Sequence, residues 1–210
     1  MDVRKLKHPF GLLLAGPSGC GKSYFISTLI SKCHTMIEPP VERVVYVYSE
    51  YQPLFDTITK SCPVPIEFIQ SLDIVETDKT QPTLIVVDDL MDNPLVEKQV
   101  SEFFVKKCHH GNVSMAYMVQ NVFHTGKYHR TISLNAHYVY LGKNPRSSDQ
   151  ILRLAMQMFP KQEQFLREAY HDATSQPYGY LFLDFKQTTN DKHRVKTHIF
   201  DNHPIVYIPK

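Results

Sequence analysis

Apolar residues occur in short continuous runs over the first two thirds of the chain, with more polar segments between them. Runs of this kind indicate strands that are buried on both faces, as in a parallel sheet covered by helices on its two sides. Their content of β-branched and aromatic residues supports the same interpretation. The predicted strands comprise residues 10–15, 44–48, 66–69, 83–89, 113–119 and 136–141.

The segments between these runs predict helices, and the alternation of strand and helix indicates an α/β fold with a mainly parallel sheet. The helices are predicted at residues 22–34, 54–59, 95–107, 148–158 and 162–171. Three later segments predict extra C-terminal strands that form an antiparallel edge, at residues 178–185, 194–200 and 205–208. The length of 210 residues fits a single domain that spans 1–210.

A glycine-rich segment directly follows the first predicted strand and precedes the first predicted helix. It has the pattern Gly-x-x-x-x-Gly-Lys-Ser of the phosphate-binding loop called Walker A. Its glycines let the backbone turn tightly around a polyphosphate, and the N–H groups that open the helix favour an anion. Lys22 is predicted to contact the β- and γ-phosphates of ATP, and the Ser23 hydroxyl to bind Mg²⁺. The predicted nucleotide-binding residues are Gly16, Pro17, Ser18, Gly19, Cys20, Gly21, Lys22 and Ser23.

Two acidic residues, Asp88 and Asp89, end the apolar strand predicted at 83–89. A carboxylate at the end of a strand beside the phosphate loop resembles Walker B, so Asp88 is predicted to bind Mg²⁺. Asp89 occupies the place of a base that orients the attacking water. Gln120 ends the next buried strand, where its side chain is predicted to sense the γ-phosphate or to polarise the water.

Arg130 and Arg146 follow strand-type segments and are predicted to lie in basic loops. Either arginine could enter the nucleotide site of a neighbouring subunit, where such a finger stabilises the charge of the transition state. The sequence leaves open the alternative that each arginine faces solvent or DNA. The predicted basic loop covers residues 124–130, and its residues 127–130 are also suited to contacts with DNA phosphates.

The composition of the chain limits the classes of partner and the cellular environment that can be expected. The net charge of +2 at pH 7 is too small to indicate nucleic-acid binding by itself. Four cysteines without a C-x-x-C pair predict reduced thiols in an intracellular protein. No apolar stretch approaches the length that spans a bilayer, so no membrane partner is expected. The clustered tyrosines favour core and rim packing over base stacking, at positions 46, 48, 51, 178 and 180.

Several further stretches coincide with one family and extend over nearly the whole chain. Besides the phosphate loop they are VYVYSEYQPLF at 45–55, DDLM at 88–91, QNVFH at 120–124, RTISLNAH at 130–137, KNPR at 143–146, AYHDAT at 169–174 and YGYL at 178–181. With these motifs the chain resembles the genome-packaging ATPases of Polinton/Maverick-type elements and related DNA viruses. That group is similar to the poxvirus packaging ATPase and belongs to the FtsK–HerA superfamily of DNA pumps.

The resemblance implies a RecA-like P-loop NTPase core of the additional-strand class. It implies a pentameric or hexameric ring that uses ATP and Mg²⁺ to move double-stranded DNA into a capsid, with capsid or portal proteins as partners. Gln120 matches the glutamine that ends the family's sensor strand. Asp89 departs from the pattern, because many relatives have Glu there and a shorter acid needs an extra water to reach its target. The expected locations are the host nucleus, a cytoplasmic virus factory or the virion.

Three other functions stay open. A small-molecule or nucleotide kinase also uses a phosphate loop, but the paired acids at 88–89 argue against it and no Arg-rich lid is evident. A viral replication helicase or initiator ATPase usually has a further DNA-binding or origin domain, for which 210 residues leave little room. A non-catalytic nucleotide-binding scaffold is disfavoured because Lys22, Ser23, Asp88 and Gln120 are all present.

Overall fold

The computed structural model describes residues 3–75, 78–88, 94–107, 112–120, 127–146, 153 and 162–209. In chain order the strands are β1 (Leu6–Lys7), β2 (Gly11–Ala15), β3 (Ile37–Glu38), β4 (Arg43–Tyr48), β5 (Ile66–Ile69), β6 (Thr83–Asp88), β7 (Val113–Val119), β8 (Tyr138–Gly142), β9 (Tyr180–Asp184), β10 (Val195–Thr197) and β11 (Ile205–Tyr207). The helices are α1 (Lys22–Ser31), α2 (Cys33–Met36), α3 (Leu54–Ser61), α4 (Pro94–Glu102), α5 (Lys127–Asn135) and α6 (Glu163–Ala173). Short 3₁₀ turns occur at Leu72–Ile74 and Asp191–His193.

Among the described residues, nine strands form one sheet in the order β11-β10-β9-β8-β2-β7-β6-β4-β5. The strands from β5 to β8 in this order pair in parallel, whereas β8–β9, β9–β10 and β10–β11 are antiparallel. The sheet is therefore mainly parallel with an antiparallel edge, which confirms the predicted α/β architecture and the extra C-terminal strands. The sequence did not predict β1 and β3, which form a separate parallel pair.

Helices lie on both faces of the sheet because the central strands are apolar on both sides. In β2, Leu12 and Leu14 pack in a core with side chains of α1, α2 and α3. The alternate residues Leu13 and Ala15 pack in a second core with α4, α5 and α6. None of the helices in the described ranges is both long enough and apolar enough to cross a membrane.

The predicted elements agree with the observed ones to within a few residues. Strands 66–69 and 113–119 have the predicted bounds. The helix predicted at 22–34 is divided into α1 and α2, and the helix predicted at 95–107 begins as α4 and continues as a π-helical turn over Phe103–Lys107. The helix predicted at 148–158 lies outside the described residues, apart from Arg153.

The prediction of a basic loop at 124–130 was wrong for its second half, because residues 127–130 belong to α5. His129, Ile132 and Ala136 are buried, and their spacing of three and four residues places them on one side of the helix and the turn after it. Arg130 is exposed. The basic residues had obscured this helical period in the sequence.

Candidate functional site

The carboxyl ends of the parallel strands meet at one edge of the sheet, which is where open α/β folds bind their ligands. There β2 leads into the glycine-rich loop, β6 ends at Asp88, and Gln120 follows β7. A cleft of about 710 Å³ lies at this edge, within the range of roughly 300–1,000 Å³ that is usual for small-molecule sites. It is lined by Ser18, Gly19, Gly21, Lys22, Ser23, Tyr24, Gln52, Asp88, Met118, Val119, Gln120 and Tyr178.

The loop between β2 and α1 has a backbone conformation that glycine adopts readily and other residues rarely adopt. Gly19 has a φ of 77° and Gly21 a φ of 101°, both in the left-handed region. Gly21 is also the N-cap of α1, and no side chain caps this end of the helix. The first N–H groups of α1 therefore lie at the cleft without an intrahelical acceptor, and together with the helix dipole they favour an anion.

Cys20 fixes the loop to the buried side of the fold. Its side chain is buried, and a Cβ on either Gly16 or Gly142 would lie only 2.6 Å from the Cys20 Sγ. The Tyr140 hydroxyl donates a hydrogen bond of 3.2 Å to the Cys20 carbonyl oxygen. Burial raises the pKa of the Cys20 thiol, which keeps it protonated at neutral pH. Cys20 therefore acts as a packing group, and Gly16 allows the close approach of loop and thiol.

The Lys22 ammonium lies against its own loop. Its Nζ donates hydrogen bonds to the carbonyl oxygens of Gly16 at 2.6 Å and of Pro17 at 3.1 Å. This arrangement keeps a full positive charge next to the N–H groups that open α1. The loop is therefore a concave, positively charged surface of the kind that binds a polyphosphate.

Asp88 is 7% exposed and borders the cleft at the end of β6. The Tyr46 hydroxyl, from the neighbouring strand β4, donates a hydrogen bond of 2.9 Å to its Oδ2. Tyr46 is in register with Val86, two residues before Asp88, so both side chains project from the same face of the sheet. Burial, with the adjacent carboxylate, raises the pKa of Tyr46, which therefore stays a hydrogen-bond donor.

Ser23 and Asp88 bring a hydroxyl oxygen and a carboxylate oxygen to the same cleft. Mg²⁺ is commonly bound by one or two protein oxygens, with substrate phosphates and waters as its other ligands. The two residues that the sequence predicts as metal ligands therefore fit Mg²⁺ in their chemistry and in their common location.

Gln120 lines this cleft from the end of β7, the strand that lies between β2 and β6. The structure thus brings together Lys22, Ser23, Asp88 and Gln120, which the sequence assigned to one site. Of the eight predicted loop residues, Gly16, Pro17 and Cys20 do not line the cleft. Asp89 lies outside the described residues.

Both predicted arginines lie apart from the cleft of their own chain. Arg130 is exposed on α5, where the sequence had predicted a loop. Arg146 is exposed after β8, and its backbone N–H donates a hydrogen bond of 3.1 Å to Oδ1 of Asn144. Their action in a neighbouring subunit stays a prediction.

Sequence analysis did not identify Tyr24, Gln52 or Tyr178 as residues of the cleft. Gln52 lies past the carboxyl end of β4, next to the Asp88 strand in the sheet, and a polar amide at such a position was an available signal. Tyr178 gave no such signal, because its place depends on the pairing of β9 with β8.

No protein-family model and no curated protein matches this chain. Its structure is similar to that of the genome packaging NTPase B204 from Sulfolobus turreted icosahedral virus 2, solved in complex with ATP-γS. The TM-score is 0.52 at 16% sequence identity, and the similarity covers 90% of this chain and 96% of that chain. The chain therefore shares its fold, over most of its length, with a viral genome packaging NTPase.

Proposed function

We propose that this chain is an ATP-hydrolysing motor that moves double-stranded DNA into a viral capsid. The observation behind the proposal is the cleft, where the phosphate loop, Gln120 and Asp88 follow three adjacent strands in the order β2–β7–β6. This order fits the additional-strand class of P-loop NTPases that the sequence resemblance implies, with β7 as the inserted strand. The packaging NTPase of similar fold was solved with an ATP analogue, which supports the same nucleotide here.

In the proposed reaction, water attacks the γ-phosphorus of ATP and the bond to the β–γ bridging oxygen breaks, which releases ADP and phosphate. The N–H groups at the start of α1 and the Lys22 ammonium stabilise the charge on the phosphate oxygens. Ser23 and Asp88 would hold a Mg²⁺ ion, which would further neutralise that charge. Gln120 orients the water, and Asp89 is proposed to accept its proton.

The proposed working form is a homo-oligomeric ring, pentameric or hexameric, around double-stranded DNA. Head-to-tail interfaces of one chain close into such rings when the rotation permits. The exposed positions of Arg130 and Arg146, outside their own cleft, support contacts with a neighbouring copy or with DNA phosphates. Capsid or portal proteins are the proposed further partners, in the host nucleus, a virus factory or the virion.

The test is ATP turnover by the purified full chain without nucleic acid, with double-stranded DNA and with single-stranded DNA. We expect double-stranded DNA to raise turnover independently of its sequence, and the stimulation to fall steeply with salt because phosphate contacts dominate such binding. Lys22→Ala is the control variant, since it removes the charge that contacts the phosphates and should abolish turnover with the fold intact.

Each competing function predicts a different result. Stimulation by single-stranded DNA alone would indicate a helicase or initiator ATPase. Transfer of phosphate to a small acceptor would indicate a kinase. Binding of ATP with no turnover in all three conditions would indicate a non-catalytic scaffold. Any of these three outcomes contradicts the proposed motor.

A further inference from the structure

Two tyrosines beside the phosphate loop, Tyr178 and Tyr180, have different environments. The Tyr180 ring stacks on Tyr140 with centroids 5.0 Å apart and meets Phe25 edge-on at 5.2 Å. Its hydroxyl accepts a hydrogen bond of 3.0 Å from the N–H of Ile199. Tyr178 is instead 69% exposed and lines the cleft. Core and rim packing, which the sequence favours for both residues, describes Tyr180 in the core and Tyr178 at the rim, but it assigns no role to the exposed Tyr178 ring.

The backbone of Tyr178 is strained. Its φ of 61° lies in the left-handed region, which a bulky residue adopts at a cost in free energy. The N–H of Gly179 donates a hydrogen bond of 3.2 Å to the carbonyl oxygen of Gln176, so Pro177 and Tyr178 are the two central residues of a turn. Turns with Pro second and a positive φ third favour Gly or Asn at the third position. A tyrosine there points to a role for its ring.

Gly179 fixes this turn against the rest of the fold. A Cβ on Gly179 would lie 2.4 Å from the carbonyl oxygen of Ala173, the last residue of α6. The Gly179 carbonyl oxygen also accepts a hydrogen bond of 3.1 Å from the N–H of Lys143, directly after β8. The backbone of the turn that carries Tyr178 is therefore held by α6 and by the segment after β8.

Tyr178 and the acidic end of the cleft lie on opposite sides of the phosphate loop. In the sheet, β7 and β6, which lead to Gln120 and Asp88, lie on one side of β2, whereas β8 and β9 lie on the other. Tyr178 lies two residues before the start of β9, and its Cβ lies 3.5 Å from where a Cβ on Gly21 would be. A nucleotide whose terminal phosphate faces Asp88 and Gln120 has its other end on the Tyr178 side.

We propose that Tyr178 is the stacking surface for the nucleobase of the bound nucleotide. This inference rests on the proposed function, because it identifies the base end of the same site. Tyr24 directly follows Ser23, is 76% exposed and borders the cleft, so it offers a second aromatic ring there. Aromatic rings bind any base through its π-face, so the surface provides affinity for a base and little choice between bases.

The test compares the dissociation constants of ATP and of inorganic tripolyphosphate by calorimetry, because tripolyphosphate has the phosphates and no base. Tyr178→Gly removes the ring and relieves the strained backbone, so its melting temperature should equal or exceed that of the wild type. We expect it to weaken ATP binding about tenfold or more and to change tripolyphosphate binding less than about twofold. Tyr178→Phe keeps the ring and should retain ATP affinity.

Tyr51→Ala is the matched control, because Tyr51 is 61% exposed and does not line the cleft. It should leave both dissociation constants unchanged. Equal losses for ATP and tripolyphosphate in Tyr178→Gly, or no loss for ATP, would overturn the stacking role. Lys22→Ala tests the proposed function separately, because it should weaken the binding of both ATP and tripolyphosphate. If it weakens the binding of neither, the assignment of the phosphate site is wrong.

Discussion

The Tyr46 hydroxyl holds Oδ2 of Asp88 at 2.9 Å across two adjacent parallel strands, β4 and β6. Both groups are buried, so the hydrogen bond acts where water competes little. It restricts the orientation of the carboxylate at the edge of the cleft. A tyrosine that looks like ordinary core packing in the sequence is thus a positioning residue for the predicted Mg²⁺ ligand.

Tyr46→Phe is expected to lower the free energy of unfolding by about 1–3 kcal/mol, because it leaves a buried charged group with one donor fewer. It should also raise the Mg²⁺ concentration needed for ATP binding, since the carboxylate is no longer held in place. Tyr48→Phe is the control, because Tyr48 lies in the same strand. Among the described residues, its hydroxyl forms no hydrogen bond with Asp88. The same Mg²⁺ dependence in both variants would refute the positioning role.

The antiparallel edge contains a buried ion pair, and the removal of one partner should be strongly destabilising. Lys196 Nζ lies 3.1 Å from Asp184 Oδ2, with side-chain exposures of 2% and 5%. Asp184→Asn leaves the ammonium without its counter-charge and should lower the free energy of unfolding by about 3–5 kcal/mol. The matched variant Glu67→Gln neutralises the partner of Arg43 in a half-exposed pair and should cost less than about 1 kcal/mol. Urea unfolding measures both changes, and equal losses would contradict this account.

Much of the fold was predictable from the sequence because buried parallel strands are continuous apolar runs. The runs at 66–69 and 113–119 gave the bounds of β5 and β7 directly. The order of strands in the sheet was not predictable, because it depends on pairings between segments far apart in the chain. Helix α5 was missed because few apolar residues mark its buried side, and one of its buried positions is the polar residue His129.

The residues of the glycine-rich loop could be identified from the sequence for a different reason, and their binding of phosphate stays a prediction. Walker A is a local pattern, so Lys22 and Ser23 follow from residues next to each other in the sequence. Tyr46 and Tyr178 act through contacts with Asp88 and the loop that only the folded sheet creates. Both lie in stretches shared with the family, but those stretches also contain other tyrosines and do not show which of them contact Asp88 or the loop.

A buried histidine at the opposite edge of the sheet should make stability depend on mildly acidic pH. His8 Nε2 lies 2.9 Å from Oδ1 of Asn112, a pure acceptor, and Nδ1 lies 2.6 Å from the Ser114 hydroxyl oxygen. Burial lowers the pKa of His8 and the Lys186 charge adds to this, although the hydrogen bonds to Asn112 oppose it. The neutral ring therefore donates to Asn112 and accepts from Ser114.

Below about pH 6.5 the unfolded chain binds a proton at His8 that the folded chain does not, so stability is lost as the pH falls. The loss from this residue should be at most about 1.4 kcal/mol per pH unit. His8→Gln should reduce the pH dependence of the unfolding free energy between pH 5 and 7, which covers the range below the reference pKa of about 6.5 where the loss occurs. His34→Gln, at an exposed position, should leave it unchanged. An unaltered slope in His8→Gln would contradict the assignment.

The two predicted finger arginines, Arg130 and Arg146, can be tested by mixing inactive subunits. Lys22→Ala subunits lack a working site but keep both arginines, whereas Arg130→Ala or Arg146→Ala subunits keep the site. If one arginine completes the site of a neighbour, its variant mixed with Lys22→Ala should recover part of the ATP turnover. Mixtures that co-assemble by native mass measurement and recover nothing for either arginine would exclude a finger acting between subunits.

The most direct test of the motor is displacement of a third strand annealed to linear double-stranded DNA, followed over time as the full chain and ATP are added. The account predicts displacement that requires ATP hydrolysis, that stops with ATP-γS, and that Lys22→Ala cannot perform. The contradicting result is an assembled ring that hydrolyses ATP in response to the same DNA but does not displace the third strand. That result would show that this protein does not move along DNA.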